Sequence, residues 1–514
     1  MNPKFLSKMI INVALALVVP SLASAVALID PALTSFLNTD QSKKVKVVAL
    51  MAYAQNGIAV PYRYNHQGVR QYLYTQTQRA WKDVATQAQN AHVNLNGSDI
   101  KIFSVHWINN SLVAEVTPNG LKQLANLSTI QKVYFNNRMV SENPFKGRRR
   151  LDTALSGSAL PYDLLQMKMD QVYLNFPQIT GQGVLVGHID TGVDGKHPAL
   201  AGRIQTFWNA ATQKVEPATD AGEHGTHTAG SILGVGPGGA PMGVAPGAKL
   251  ISAAALGSYA EMIKAMEFML DPDSNPNTAD FPRLVSNSWN CEGAPDLEVF
   301  YRAISAWEAA GILPVFSAGN AGPRTATITK PHEHPASLAV AALDQNAKVA
   351  SFSSRGPGKF NGQATQKPDI SGPGVDVVSS VPGGKYESMS GTSMSTPHIA
   401  GLVALVLQAN PNLNPAQIRE IITRSAVYVD EQGVPQAQQK WNASFGLGIA
   451  DAFAAIKMAT SQIVGPRTAP HSVSPIPLVT QWEPSLVDVV TPVIPLATDI
   501  ATPFVTDESH WIKL

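Results

Sequence analysis

Cysteine is almost missing from this chain. Cys291 is the only one in 514 residues, which excludes an intrachain disulfide framework and any multi-cysteine zinc site. The scarcity does not place the chain in the cytosol, because a large core needs no covalent staples. Net charge is equally scarce: 38 basic residues face 37 acidic ones, and charged residues make up only 15%. That balance carries no polyanion signature, so nucleic acid is not an expected partner. Long apolar runs are also lacking, and beyond the first 25 residues none is long and apolar enough to span a bilayer.

What is present begins with Lys4 and Lys8, an apolar run from Met9 to Val19, and Ala23-Ser24-Ala25. A basic start, a short apolar centre and a small-x-small site predict a signal peptide over residues 1–25, removed on export and leaving no membrane span. The expected location is therefore secreted: extracellular, or periplasmic if the cell has an outer membrane.

Over 500 residues exceed one ordinary core, so several domains are expected. From about 44 to 137 the periodicity predicts a small α+β unit. A strand Val45 to Met51 leads to an amphipathic helix Val69 to His92, strands Ile100 to Trp107 and Leu112 to Val116 follow, then a helix Gly120 to Leu127 and a strand Ile130 to Phe135. That order, β-α-β-β-α-β, is the ferredoxin-like split βαβ arrangement. Lys146-Gly147-Arg148-Arg149-Arg150 follows as an exposed basic linker suited to cutting. From about 170 to 458 short apolar strands alternate with helices, which predicts a doubly wound, mostly parallel α/β sheet. Gly183 to Ile189 is nearly all apolar, as a central parallel strand should be. Beyond Ile463, prolines such as Pro466, Pro475, Pro484 and Pro495 forbid regular helices and central strands, so residues 463–514 read as an extended Pro/Thr/Val-rich tail. The expected division is 1–25 signal peptide, 26–150 first unit with its linker, 151–462 main domain, 463–514 tail.

Three motifs carry chemistry. Gly391-Thr392-Ser393-Met394-Ser395-Thr396-Pro397-His398 sets a serine between a turn and an apolar run, Ile399 to Leu407, that reads as a buried helix. A serine hydroxyl needs a base to take its proton and a group to orient that base. Asp190, in Asp190-Thr191-Gly192-Val193-Asp194, ends the strand before it and so stands at the carboxyl edge of the sheet, where sites in open α/β folds gather. His224 and His227, in His224-Gly225-Thr226-His227-Thr228-Ala229-Gly230, stand three apart at a helix start. Local rivals are Asp194, Ser390 and Ser395. A zinc hydrolase would need a third ligand and a recognisable glutamate, and no His-Glu-x-x-His exists; His332-Glu333-His334 has the wrong spacing. The order Asp, His, Ser differs from the Ser-Asp-His of α/β-hydrolases, and the Gly-x-Ser-x-Gly elbow is missing, which argues against an esterase.

With these motifs in this order, the chain resembles the subtilisin-like serine protease family, in particular its bacillopeptidase F branch. The resemblance covers the whole α/β region. It implies a serine endopeptidase acting on proteins or peptides, with Asp190, His224 and Ser393 as triad, His227 and Ser395 as packing residues, and Asn320 of Ser317-Ala318-Gly319-Asn320 in the oxyanion hole. It implies that Ser288, Trp289, Asn290 and Gly319 line the peptide site and that Gly257 and Ser258 belong to an opposing edge strand. It also implies that the first unit is an inhibitory, fold-assisting prodomain, the chain's own intramolecular partner. Catalysis calls for no cofactor; structural calcium stays open, since Asp271 to Pro282 starts like an EF-hand loop but has proline where glycine and glutamate are required, and reads as a solvated loop. Two positions depart from the family pattern. Glu223 stands where glycine usually precedes the catalytic histidine, and Trp289 stands where leucine is common. The competing reading is a catalytically silent scaffold or binding protein on the same fold.

Overall fold

A computed structural model describes residues 26–53, 63–141, 145–150, 160–275, 277–291 and 297–461. The expected signal segment and the proline-rich tail lie outside these residues.

The first unit is built from β1 (Val45–Met51), α1 (His66–Asn90), β2 (Ile100–His106), β3 (Ser111–Val116), α2 (Pro118–Ala125) and β4 (Ile130–Phe135). The sheet runs β4-β1-β3-β2, all antiparallel, with Leu28–Ile29 added parallel at the β4 edge. Local chemistry sets the helix starts. Asn65 accepts from Gly68 N–H at 3.0 Å to cap α1, and Thr117 accepts from Gly120 N–H at 3.0 Å ahead of Pro118 in α2. β1 is buried on both faces. Val47, Ala49 and Met51 point into the unit's own core with Trp81, Val84 and Leu121, while Val48 and Leu50 point the other way.

Two short strands follow, β5 (Val140–Ser141) and β6 (Phe145–Arg150). The second unit then lays down β7 (Leu185–Asp190), β8 (Ile204–Asn209), α3 (His224–Leu233), β9 (Lys249–Ala254), α4 (Tyr259–Leu270), β10 (Leu284–Asn287), β11 (Trp289–Asn290) and α5 (Glu298–Ala310). It continues with β12 (Leu313–Ser317), β13 (Leu338–Leu343), β14 (Ile370–Pro373), the hairpin β15 (Val377–Val381) and β16 (Lys385–Ser390), α6 (Thr392–Ala409), α7 (Pro415–Arg424) and α8 (Ala452–Thr460). The main sheet has the order β8-β9-β7-β10-β12-β13-β14, all parallel, with Lys214–Val215 antiparallel at the β8 edge. Strand order reverses around β7, so its carboxyl end is the switch point where such sheets open a crevice. Helix α6 is buried along nearly its whole length and packs on α3 and on the central strands, as its unbroken apolar run requires. A reciprocal capping box between Asn414 and Gln417, with Pro415 in the first turn, starts α7.

The two units share a core. Val48, Leu50, Trp107 and Tyr134 of the first pack with Ile263, Met266, Phe300 and Ile304 of α4 and α5. Polar pairs cross the same interface: Arg70 Nε lies 2.6 Å from Asp271 Oδ2, His106 Nδ1 2.8 Å from Glu267, and Lys132 Nζ 2.5 Å from Glu298.

Two sequence expectations need correcting here. The basic stretch after the first unit is no open linker: Phe145–Arg150 is a strand, paired antiparallel with β16, because the outer edge of the β15–β16 hairpin offers unsatisfied backbone groups that an extended segment can take up. The loop from Asp271 is not simply solvated either. Asp271 is buried, held by Arg70 201 residues earlier, a partner that no local pattern could reveal.

Candidate active site

Asp190 is the last residue of β7 and fully buried. Its Oδ1 accepts from His224 Nδ1–H at 2.7 Å and from Thr191 N–H at 2.7 Å, and Thr228 Oγ lies 3.2 Å from Oδ2. Burial alone would raise its pKa. The charge and hydrogen bond of His224, then His188 and the Thr191 amide, outweigh burial and hold the carboxyl below the usual range, so it is ionised. An ionised carboxylate on Nδ1–H fixes the imidazole tautomer and leaves Nε2 as the basic nitrogen.

His224 opens α3, and the next histidine on that helix has another task. His227 donates Nε2–H to the carbonyls of Val377 and Glu387, both at 3.1 Å, which pins α3 to the hairpin. Burial drives its pKa down to about 3, so it stays neutral.

Ser393 lies in the first turn of α6, behind Gly391, and α3 packs along this helix. Its carbonyl accepts from Ser288 Oγ–H at 3.1 Å. Ser395 turns inward and donates to Ala341 O at 2.8 Å, a packing contact.

Asn320 reaches this turn from the end of β12 by way of Gly319, whose φ of +106° favours glycine. Asn320 Oδ1 accepts from both Thr392 N–H and Thr392 Oγ–H at 2.9 Å, so its amide can face only one way. Among the described residues the Nδ2 donor, shielded from solvent, has no partner. A Cβ on Gly391 would stand 3.4 Å from that Nδ2 and 3.7 Å from Ser393 N. The missing side chain therefore leaves room beside two donors, and an unmet buried donor costs about 1–3 kcal/mol unless something visits it.

The expected peptide-site residues fall in different places. Trp289 is fully buried, its ring edge-on to Phe316 at 5.2 Å and its Nε1–H donated to Asn287 Oδ1. What Trp289 and Asn290 present is backbone: β11 pairs antiparallel with β5, Trp289 opposite Ser141 and Asn290 opposite Val140. Gly257 and Ser258 form no strand. β9 ends at Ala254, and Ser258 is extended where it caps α4, its Oγ accepting from Glu261 N–H, while the next residue, Tyr259, donates its N–H to Asn137 O at 3.0 Å. A serine three residues before a glutamate at a helix start carries that capping signal in the sequence. Cys291 is buried and its thiol pKa is raised well above normal by burial, so it is inert. Among the described residues no group of three His, Cys, Asp or Glu side chains is placed to hold a metal ion, and no helix is long and apolar enough to cross a membrane.

Residues 181–448 match the subtilase family model (peptidase S8). The chain belongs to the subtilase family. It is 31% identical over 389 residues to bacillopeptidase F of Bacillus subtilis strain 168, covering 69% of this chain but only 26% of that protein. It is 35% identical over 347 residues to serine protease AprX of the same strain, covering 61% of this chain and 73% of the relative. Fervidolysin from Fervidobacterium pennivorans, described as a keratinolytic enzyme related to subtilisin, superposes with a TM-score of 0.59 at 22% identity, over 84% of this chain and 63% of that one. That last likeness shows the fold. Subtilases are serine endopeptidases, and this subtilase carries the fold, the motif order and the carboxylate–imidazole pair that go with that class.

Proposed function

We propose that this subtilase is an exported zymogen of a serine endopeptidase that hydrolyses protein or peptide substrates through an acyl-enzyme. The observation that carries the reading is the pairing of an ionised Asp190 on His224 Nδ1 with the shielded, partnerless Asn320 Nδ2 beside the Ser393 turn. In this reading His224 Nε2 takes the proton of Ser393 Oγ as that oxygen attacks the scissile carbonyl. The oxyanion forms beside Gly391, between Asn320 Nδ2–H and Ser393 N–H. His224 then returns the proton to the leaving amine, and water repeats the sequence on the acyl-enzyme. Ser393, His224 and Asp190 supply the whole reaction, so no cofactor is assigned to it.

The zymogen part rests on where the chain after the first unit goes. Val140–Ser141 pairs with β11 and Phe145–Arg150 with β16, the strand that leads into Gly391 and Ser393. An extended backbone added to strand edges is how a peptide substrate is held. The first unit, with its split βαβ order, is thus assigned as the prodomain, and the maturation cut is assigned between Ser141 and Phe145. Export is assigned from the sequence of residues 1–25.

Intact mass of the purified chain, with and without a fluorophosphonate probe, tests this beside Ser393→Ala. The expected result is a wild-type cut between residues 141 and 145 with one probe bound, and an uncut, unlabelled variant. A wild type that takes no probe even after removal of the first unit would overturn the proteolytic reading and leave the silent scaffold.

A further inference from the structure

A second histidine stands behind the catalytic carboxylate, and nothing in the proteolytic reading uses it. His188 lies two residues before Asp190 on β7, so both side chains leave the same face of the strand. On the helix covering that face, Thr228 lies four residues after His224, again on one side. The four residues therefore meet. His188 is fully buried, with Nδ1 2.9 Å from Ser252 Oγ on the neighbouring β9 and Nε2 2.8 Å from Thr228 Oγ. Thr228 Oγ in turn lies 3.2 Å from Asp190 Oδ2 and 3.1 Å from Gly225 O.

The hydrogen positions follow from this geometry. Thr228 has one hydroxyl proton and three neighbours. An ionised carboxylate is the strongest acceptor among them, so the proton goes to Asp190 Oδ2. The oxygen of Thr228 must then accept from His188 Nε2–H. Nδ1 of His188 is left bare and accepts from Ser252 Oγ–H. Burial lowers the pKa of His188, against the pull of Asp190 and Asp220 and with the repulsion of His224, which keeps the ring in this neutral, singly protonated form. The result is a one-way chain of donors, Ser252 to His188 to Thr228, ending on the oxygen of Asp190 that His224 does not use.

We propose that His188 is a positioning residue that acts through Thr228: by filling a lone pair of Thr228 it holds that hydroxyl as a donor to Asp190 and so sets how strongly Asp190 attracts a proton onto His224. The proposal rests on Asp190 and His224 working as the acid–base pair assigned above. Hydrogen bonds in such chains strengthen one another, so losing the imidazole weakens the last link as well as the first. With that link weakened, the charge of Asp190 is less dispersed, the His224 cation is better stabilised, and the acidic limb of activity moves to higher pH. The other charged or titratable groups facing this cluster are Asp220, from the loop before α3, and His227, one turn along it, with Glu223 adjacent to His224 in the chain. All three are left in place by the variants below.

The test is the pH profile of kcat/KM for the matured enzyme, with fluorophosphonate uptake as the check on folding and on the active serine. Thr228→Val, which keeps shape but has no hydroxyl, is expected to move the acidic limb up by about 0.5 pH unit. His188→Met is expected to move it the same way. His188 Nε2 stands 3.8 Å from Asp190 Oδ2, beyond hydrogen-bond reach, so its hydrogen-bonded link to the carboxylate runs through Thr228 and the double variant should match Thr228→Val alone. His188→Gln, whose amide reaches about as far as Nε2, and Thr228→Ser should both keep the wild-type limb. Probe-labelled Thr228→Val and His188→Met enzymes whose limbs do not move would overturn the proposal, as would shifts that add in the double variant. If Thr228→Val fails to take up probe, the comparison of His188→Met with His188→Gln decides in the same way. A wild type that takes no probe would remove the proteolytic reading itself, and this inference with it.

Discussion

Asn320 offers the sharpest quantitative test of the site. Its side chain has two separable jobs: Oδ1 receives two hydrogen bonds from Thr392, and Nδ2 waits without a partner. Asn320→Ala removes both. The folded state loses the acceptor that two buried Thr392 donors share, at about 1–3 kcal/mol each, and is relieved of one unmet buried donor of similar worth. The net loss is about one such donor, so Tm should fall by roughly 2–10 °C with the fold intact. The transition state gets no such compensation. Loss of one oxyanion donor costs about 2.7–4 kcal/mol, or 10²–10³ in kcat; the measured case behind that figure is subtilisin, a member of this family, so the magnitude is carried over and not worked out afresh. Asn320→Asp sharpens the point, because it keeps the acceptor for Thr392 and puts a negative charge where the oxyanion forms. The assay is steady-state hydrolysis of a chromogenic peptide by protein matured with an unrelated protease, so that slow self-processing does not confound it. Expected are KM within about threefold of wild type, kcat down 10²–10³ for alanine and further for aspartate. A fall in kcat below about fivefold, or a change confined to KM, would refute the assignment of Nδ2 to the transition state.

Four further outcomes follow from other contacts. His227 and His334 are buried with pKa values lowered to about 3, so the unfolded chain binds their protons first. Stability should fall as pH drops from about 6.5 toward 3, by up to about 1.4 kcal/mol per pH unit for each, and urea midpoints that are flat from pH 7 to 4.5 would contradict this. Glu223→Gly, which restores the family's usual residue ahead of His224, should move the acidic limb of the pH–activity curve down if that carboxylate supports the imidazolium; an unmoved limb removes the idea. Arg70→Met strands Asp271 in the interface, a change worth about 3–5 kcal/mol, so the cut first unit should no longer co-elute with the catalytic unit in size-exclusion chromatography. Cys291 should resist a thiol reagent in the native protein and react at once in guanidinium, and rapid native reaction would show that the burial is wrong.

The places of the three proposed triad residues were legible because each stands beside a local signal: a strand end at Asp190, a helix start at His224, and a glycine turn before a buried helix at Ser393. Strands with continuous or alternating apolar patterns, such as Val45–Met51 and Leu338–Leu343, were read to the residue. What escaped depends on partners distant in the chain. Phe145–Arg150 has the composition of a basic linker, and only the free edge of β16, some 240 residues on, makes it a strand. Asp271 sits in a polar stretch and is buried by Arg70, while His188 looks like an odd polar residue in a core strand until Thr228 arrives from α3. Ser258 differs from its expected strand for a local reason: its Oγ accepts from Glu261 N–H as the cap of α4, a signal present in the sequence.

Three side-chain pairs cross the interface between the two units in the same sense, with the nitrogen on the first unit and the carboxylate on the second. His106, Arg70 and Lys132 come from the first unit, and Glu267, Asp271 and Glu298 from the second. A first unit that let go after the cut would carry Arg70, Lys132 and the His106 imidazole away and leave an apolar face on α4 and α5 rimmed by carboxylates. Water and counterions would wet that rim, which keeps an otherwise sticky face dispersed. Among the described residues, Glu298 alone of the three carboxylates has an ion-pair partner on its own side, Arg302 at 2.7 Å. The same rim would work as an address label, admitting a surface that brings donors to the three carboxylates and repelling an acidic one, so an enzyme matured by the proposed cut would keep a specific memory of the segment that once covered it.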